Sequence, residues 1–270
     1  MLRDITIGQY YPADSKIHSL DPRVKLLATL VYIISLFMVD DVFSLLFISV
    51  ALAAVIVTSK VPFTYIMRGL HSIIILLIFA AAFNIFLTPG IPIFTIWKLN
   101  VTKEGIKSAA VMMIRMIYLI AGTSLMTLTT TPNALTDGLE KSLSPLNKIN
   151  VPVHEIAMMM SIALRFIPIL IEETDKIMKA QMARGADFES GSIIKKAKNM
   201  VPLLVPLFVS AFRRANDLAM AMEARCYHGG EGRTKMKPLK YQKGDAVAYV
   251  LLAAYLAGVI IIKIVTNSIL

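Results

Sequence analysis

Cysteine is nearly missing from this chain: Cys226 stands alone among 270 residues, which excludes an internal disulfide and any metal site made of cysteines only. Charge is scarce as well, at 17% of residues, and several long stretches carry none. Nothing fits G-x-x-x-x-G-K-S/T, so nucleotide phosphates cannot be cradled by that loop. His154-Glu155 opens like a zincin motif, but Met158 stands where the second histidine belongs. Paired acids, a Ser/Lys dyad and metal ligands are absent from the apolar runs, which removes the parts an intramembrane enzyme needs. The opening 25 residues are polar and of mixed charge, unlike a signal peptide. The net charge of +10 comes without aromatic-basic interleaving or a helix-turn-helix pattern, which argues against nucleic-acid binding.

What abounds is apolar. Hydrophobic residues make up 56% of the chain and fall in uncharged blocks longer than a soluble core requires. The expected fold is an all-α integral membrane protein with about five transmembrane helices and long amphipathic helices on the cytoplasmic side. Asp21 is placed as an N-cap and Pro22 as the first residue of span one, with Arg23 and Lys25 snorkelling to the headgroups. Asp40 and Asp41 form an acidic turn before a second span, Val42 to Ser59, and Lys60 and Arg68 flank the loop after it. That pattern puts the acidic turn outside and the basic loop inside.

Leu70 to Thr88 is the third span, broken by Pro89-Gly90-Ile-Pro92, with Trp97 as an interfacial anchor in the following loop. The fourth, Ile106 to Thr131, holds Arg115 well inside, where it either snorkels or meets a structural partner. Its hydroxyl-rich exit, Thr127 to Thr131, can satisfy loosened backbone groups. Four spans return the chain to the side where it began, and basic residues outnumber acidic ones between Pro132 and Lys243. This region is therefore expected in the cytoplasm with the N-terminus. Its apolar runs Val153 to Leu170 and Met200 to Phe212 read as amphipathic helices broken by Pro168, Pro202 and Pro206, and Ala246 to Ile262 is a last span. The division is a membrane domain at 1–131, an interfacial region at 132–243 and a final transmembrane helix at 244–270.

Two stretches of the interfacial region echo each other. Ala180-Gln-Met-Ala183-Arg184-Gly185 and Ala221-Met-Glu-Ala224-Arg225-Cys226 both read A-x-x-A-R. Leu170, Thr174, Ile177, Gln181 and Arg184 share one helical face, and Leu207, Ala211, Ala215, Leu218, Met222 and Arg225 share another. Each arginine thus sits at the tip of a helical stripe. Alanines behind it leave no bulk, so the tip can enter a groove and pair bidentately with a carboxylate there. One such tip reads equally well as an ordinary basic helix end. Two like tips suit a two-fold partner, such as a dimer of ATPases.

His18-x-Leu-Asp21-Pro22-Arg23-x-Lys25, Thr129-Thr-Thr-Pro132, Leu164-Arg165-Phe-Ile-Pro168, Ala183-Arg184-Gly185 and Ala219-x-Ala221-Met-Glu-Ala224-Arg225 occur in the order that resembles the transmembrane T component (EcfT) of energy-coupling factor transporters. The resemblance runs from about Tyr10 to Arg233. It implies a non-catalytic coupling subunit in the cell membrane that joins two ATP-binding cassette ATPases, alike or unlike, to a membrane S component binding a vitamin or other micronutrient. ATP and magnesium would belong to the ATPases, and no cofactor to this chain. The implied ATPase-coupling residues are Ala183, Arg184, Gly185, Ala224 and Arg225. Cys226 takes the place usually held by glycine, and because Cys does not favour the left-handed cap, the ending of the second helix stays open.

Methionines are numerous, 16 in all, and include the run Met158, Met159 and Met160. An unbranched, adaptable side chain suits contact with varied S components, and it equally fills apolar helices. A conventional importer permease is the alternative function. It would need one ATPase-contacting E-A-A-type loop with a downstream glycine, which the sequence does not contain.

Overall fold

The computed structural model describes residues 10–39, 41–71, 73–96, 99–188, 192–229, 236 and 238–269. Helix α1 (Pro22–Met38) starts as its sequence predicts: the Asp21 carboxylate accepts the Arg23 N–H, and Pro22 fills the first turn. There follow α2 (Val42–Ser59), α3 (Phe63–His71), α4 (Ile74–Leu87), α5 (Lys103–Thr129), α6 (Pro132–Leu143), α7 (Val153–Ala183), α8 (Ile193–Glu223) and α9 (Lys243–Ile269). Among the described residues, four helices, α2, α5, α7 and α9, are long and apolar enough to cross a membrane, and the bent pair α3 and α4 would make a fifth.

That set differs from the expected one at α1, which has 17 residues, about 25 Å at 1.5 Å per residue and short of a hydrocarbon core of about 30 Å. Helix α7 qualifies by length and apolar content even though its sequence reads as interfacial. The third span is not continuous either, since α3 ends at His71 and α4 begins at Ile74. Pro168, Pro202 and Pro206 do not break their helices, and α7 and α8 run through them for 31 residues each. Pro202 and Pro206 are one turn apart, so their missing N–H groups fall on one side, where a helix absorbs them by bending. A further departure is a short antiparallel hairpin, β1 (Pro92–Ile96) with β2 (Leu99–Thr102), where a plain loop was expected. β-branched and aromatic residues after the Pro-Gly turn favour extended pairing there. Asp40, Trp97 and Lys98 lie outside the described residues.

The described residues form two compact units, one of Gly8–Leu139 with Leu239–Leu270 and the other containing Glu140–Pro238. In the first, α5 packs on α4, α1, α3 and α2, while α9 packs on α1 and α2. Leu36, Val39 and Ile48 are wholly buried at its centre, beside Leu45 and Val259. Hydroxyls tie these helices together across the apolar interior: Tyr32 Oη donates to the Tyr118 carbonyl at 2.9 Å, Ser35 Oγ meets Tyr255 Oη at 2.6 Å, and Ser49 Oγ meets Tyr118 Oη. Such bonds satisfy groups that lipid cannot. Gly122 lets α5 approach α1 closely, because a Cβ there would run into the Tyr32 ring. Arg115 resolves in favour of a structural partner. Its Nη2 donates to the Val39 carbonyl at 2.6 Å, closing the end of α1 with positive charge where the helix dipole is negative.

The second unit holds a 3-10 turn (Ser144–Ile149) and the packed pair α7 and α8. His154 Nδ1 lies 3.0 Å from Glu140 Oε1 near the start of α7. The position therefore serves a side-chain hydrogen bond at the helix entrance.

Candidate functional site

Helix α7 ends by a Schellman closure. Arg184 is its C-cap, Gly185 adopts φ +90°, the Gly185 N–H donates to the Met182 carbonyl at 2.9 Å, and the Ala186 N–H reaches back to Gln181 at 3.0 Å. Glycine is required here by conformation, since nothing lies within 4 Å of where a Cβ would stand.

Helix α8 closes in the same way. The Cys226 N–H donates to the Glu223 carbonyl at 2.9 Å and the Tyr227 N–H to Met222 at 3.1 Å. Cys226 itself takes the left-handed conformation, φ 54°. The ending left open by the sequence is thus settled: cysteine adopts the conformation glycine prefers, because the two returning N–H bonds offset a strain of about 1–2 kcal/mol.

The two tips are alike in exposure too. Ala183, Arg184 and Gly185 are exposed at one, and Ala224, Arg225 and Cys226 at the other. Among the described residues, neither arginine side chain takes a hydrogen bond or an ion pair. Each guanidinium therefore stands exposed at the end of a long helix, beside an alanine. Behind the first tip, Asn199 Nδ2 donates to the Asp187 carbonyl at 2.6 Å, tying the returning loop to α8. Met158, Met159 and Met160 lie in the first turns of α7, about 36 Å from Arg184 along the helix. Met159 and Met160 are exposed and Met158 is half-buried.

The family model described as cobalt transport protein, CbiQ, matches residues 13–236. The chain is 61% identical over 251 residues to an energy-coupling factor transporter transmembrane protein EcfT of Clostridium kluyveri, covering 92% of this chain and 93% of that protein. The chain belongs to the CbiQ/EcfT family. It is likewise 51% identical over 264 residues to the protein of that name from Thermosediminibacter oceani, and 47% identical over 260 residues to the one from Bacillus subtilis. Those matches cover 98% and 95% of this chain, and 100% and 98% of the relatives. As a CbiQ/EcfT chain it is a multi-pass membrane component of an energy-coupling factor transporter, and its part in transport is non-catalytic.

In this family member the His18 to Lys25 motif builds a polar knot rather than a membrane anchor. Lys25 does not snorkel. It is buried, and its ammonium donates to the carbonyls of His18 at 3.1 Å and Thr129 at 2.9 Å, fastening the start of α1 to the end of α5. The buried carboxylate of Asp245 accepts the N–H of Asp21 at 2.8 Å and that of Gln242 at 2.7 Å, fastening α9 to the same point. Arg23 pairs with Asp21 and lies 3.8 Å from the centre of the Tyr241 ring. His18 Nε2 meets the Tyr11 carbonyl at 3.0 Å while its Nδ1 meets Ser15 Oγ at 2.7 Å.

These surroundings move two acid-base equilibria. Burial holds the His18 imidazole below its ordinary value, assisted by Lys25 and opposed by the Tyr11 and Leu128 carbonyls and by Asp14. Burial opposes ionisation of Asp21, but the hydrogen bonds and charge of Arg23 outweigh it and hold the carboxyl below its usual range. Asp245 was not anticipated as part of this knot. The available signal was an acid in the first turn of an otherwise apolar helix.

Proposed function

We propose that this chain is the coupling subunit of an energy-coupling factor importer, passing the ATP-driven motion of two cytosolic ATPases to a membrane S component that binds a vitamin or other micronutrient. The observation that carries this reading is the pair of matching tips, each an exposed arginine beside alanine on a Schellman-closed helix. Each tip enters a groove of one ATPase, with Ala183, Arg184 and Gly185 in one and Ala224 and Arg225 in the other. Closure of the ATPase pair then displaces two stiff helices, and their far ends move what rests on them. ATP and magnesium are held by the ATPases. The excess of basic residues between Pro132 and Lys243 supports a cytoplasmic place for the tips and the N-terminus.

Co-purification tests this directly. Arg184→Glu combined with Arg225→Glu is expected to release the ATPases, roughly 100-fold or more in affinity if two charge-paired contacts are lost, while the chain still inserts and keeps its S component. Undiminished ATPase retention by that variant refutes the docking role. Met158, Met159 and Met160, at the opposite end of α7, are proposed to touch the S component. Their joint replacement by Leu is expected to weaken some S-component partnerships more than others in pull-downs, and equal retention of all of them would count against the contact.

A further inference from the structure

Aligned on their arginines, the closing stretches of α7 and α8 share the A-x-x-A-R ending but carry opposite charge at two places: Glu172-Glu173 on α7 corresponds to Arg213-Arg214 on α8, and the exposed Lys176 to the exposed Asp217. The fold brings the second members of the Glu-Glu and Arg-Arg pairs together. Arg214 Nη2 donates to Glu173 Oε2 at 3.2 Å, with both side chains partly withdrawn from solvent, whereas Glu172 and Arg213 are exposed. Each partner stands three helical turns behind its own tip arginine, about 17 Å along the axis and nearly in phase with it.

When equivalent positions of two like helices touch, the contact lies on the local two-fold axis that relates them. The ion pair therefore marks the axis of the α7–α8 pair, and the two tips form arms of equal length about it. Identical charges on such an axis would repel, so the repeat can meet itself there only because one copy is acidic and the other basic. The bond is also single. Arg214 Nε is buried without a hydrogen-bond partner, so the guanidinium does not make the two-pronged fork that would fix orientation as well as separation. One such bond holds the helices at that separation without itself fixing their relative orientation.

We propose that Glu173 and Arg214 are positioning residues, forming the pin about which α7 and α8 pivot and from which Arg184 and Arg225 take their mutual spacing. This rests on the reading of the tips as docking points for two ATPases, since equal arms about one axis are what a two-fold partner engages. Spin labels on the native Cys226 and on Met182→Cys, both exposed near the tips, report the tip-to-tip distance in the full chain in lipid nanodiscs. Glu173→Arg and Arg214→Glu are each expected to shift and broaden the distance distribution, Glu173→Gln to broaden it less, and the double charge swap to restore it.

Single reversals that leave the distribution unchanged, or a swap no better than either parent, overturn the pin. If a reversal fails to insert, Glu173→Gln decides: a broadened distribution upholds the pin and an unchanged one removes it. The distances are read without ATPases present. Tips that respond as expected on a chain that never retains ATPases would thus overturn the coupling role while leaving the pin intact.

Discussion

Cys226 shows how a single residue is held by its surroundings. Its left-handed backbone is one that glycine adopts at no steric cost, yet the two returning hydrogen bonds of the closure keep it there. Cys226→Gly is therefore expected to stabilise the end of α8 by about 1 kcal/mol, read as slower amide exchange at residues 226 and 227, with ATPase retention unchanged. Slower exchange at α7 as well, or none at either tip, would show that the strain is not local. Arg115 makes the complementary point. A charge deep in an apolar helix is tolerable because the Val39 carbonyl, at the open end of α1, lies within reach of its guanidinium.

At the scale of elements, the starts of α1 and α9 and the end of α5 converge on Asp21, Lys25 and Asp245. These groups satisfy backbone ends that lipid would leave bare. His18 closes one side of the knot in its neutral form, and this makes the junction sensitive to acid. Its folded pKa lies below the ordinary 6.5, so the unfolded chain binds more protons between those values. Its contribution is complete above about pH 6.5 and is lost as the pH falls through the lowered folded value. Asp21 follows the same sign, but only below its ordinary 3.8. The melting temperature of the wild-type chain is expected to fall between about pH 7 and about pH 5, with a flatter profile in His18→Gln. Parallel profiles for the two proteins would remove His18 from the account.

For the whole molecule, the deciding quantity is which side of the membrane the tips face. The single cysteine lies at the second tip, exposed and unbonded, so the native chain carries its own reporter. A membrane-impermeant maleimide is expected to label Cys226 in inside-out vesicles and not in intact cells, with labelling suppressed when the ATPases are bound. Labelling from outside intact cells would place the tips on the wrong face and defeat the coupling role. In the proposed coupling role the stiffness would come from two helices of 31 residues, with the load applied at their exposed ends.

The sequence by itself determined the helical class, the membrane setting, the Asp21-Pro22 helix start and the twin A-x-x-A-R tips. Each of these is written in local pattern: uncharged run length, a capping residue, the period of a stripe. Only the tertiary structure decided what depended on distant partners. Lys25 was legible as basic near a helix start, but not as buried, because Thr129 lies 104 positions away in the chain. Asp245 meets Asp21 across 224 positions, a separation over which no local pattern extends. The prolines of α7 and α8 looked like breaks, since propensity records the lost bond and not the packing around it. Glu173 and Arg214 carry unlike charges at matching places of the repeat, but nothing in the local pattern singles them out, because their meeting requires the two helices to pack.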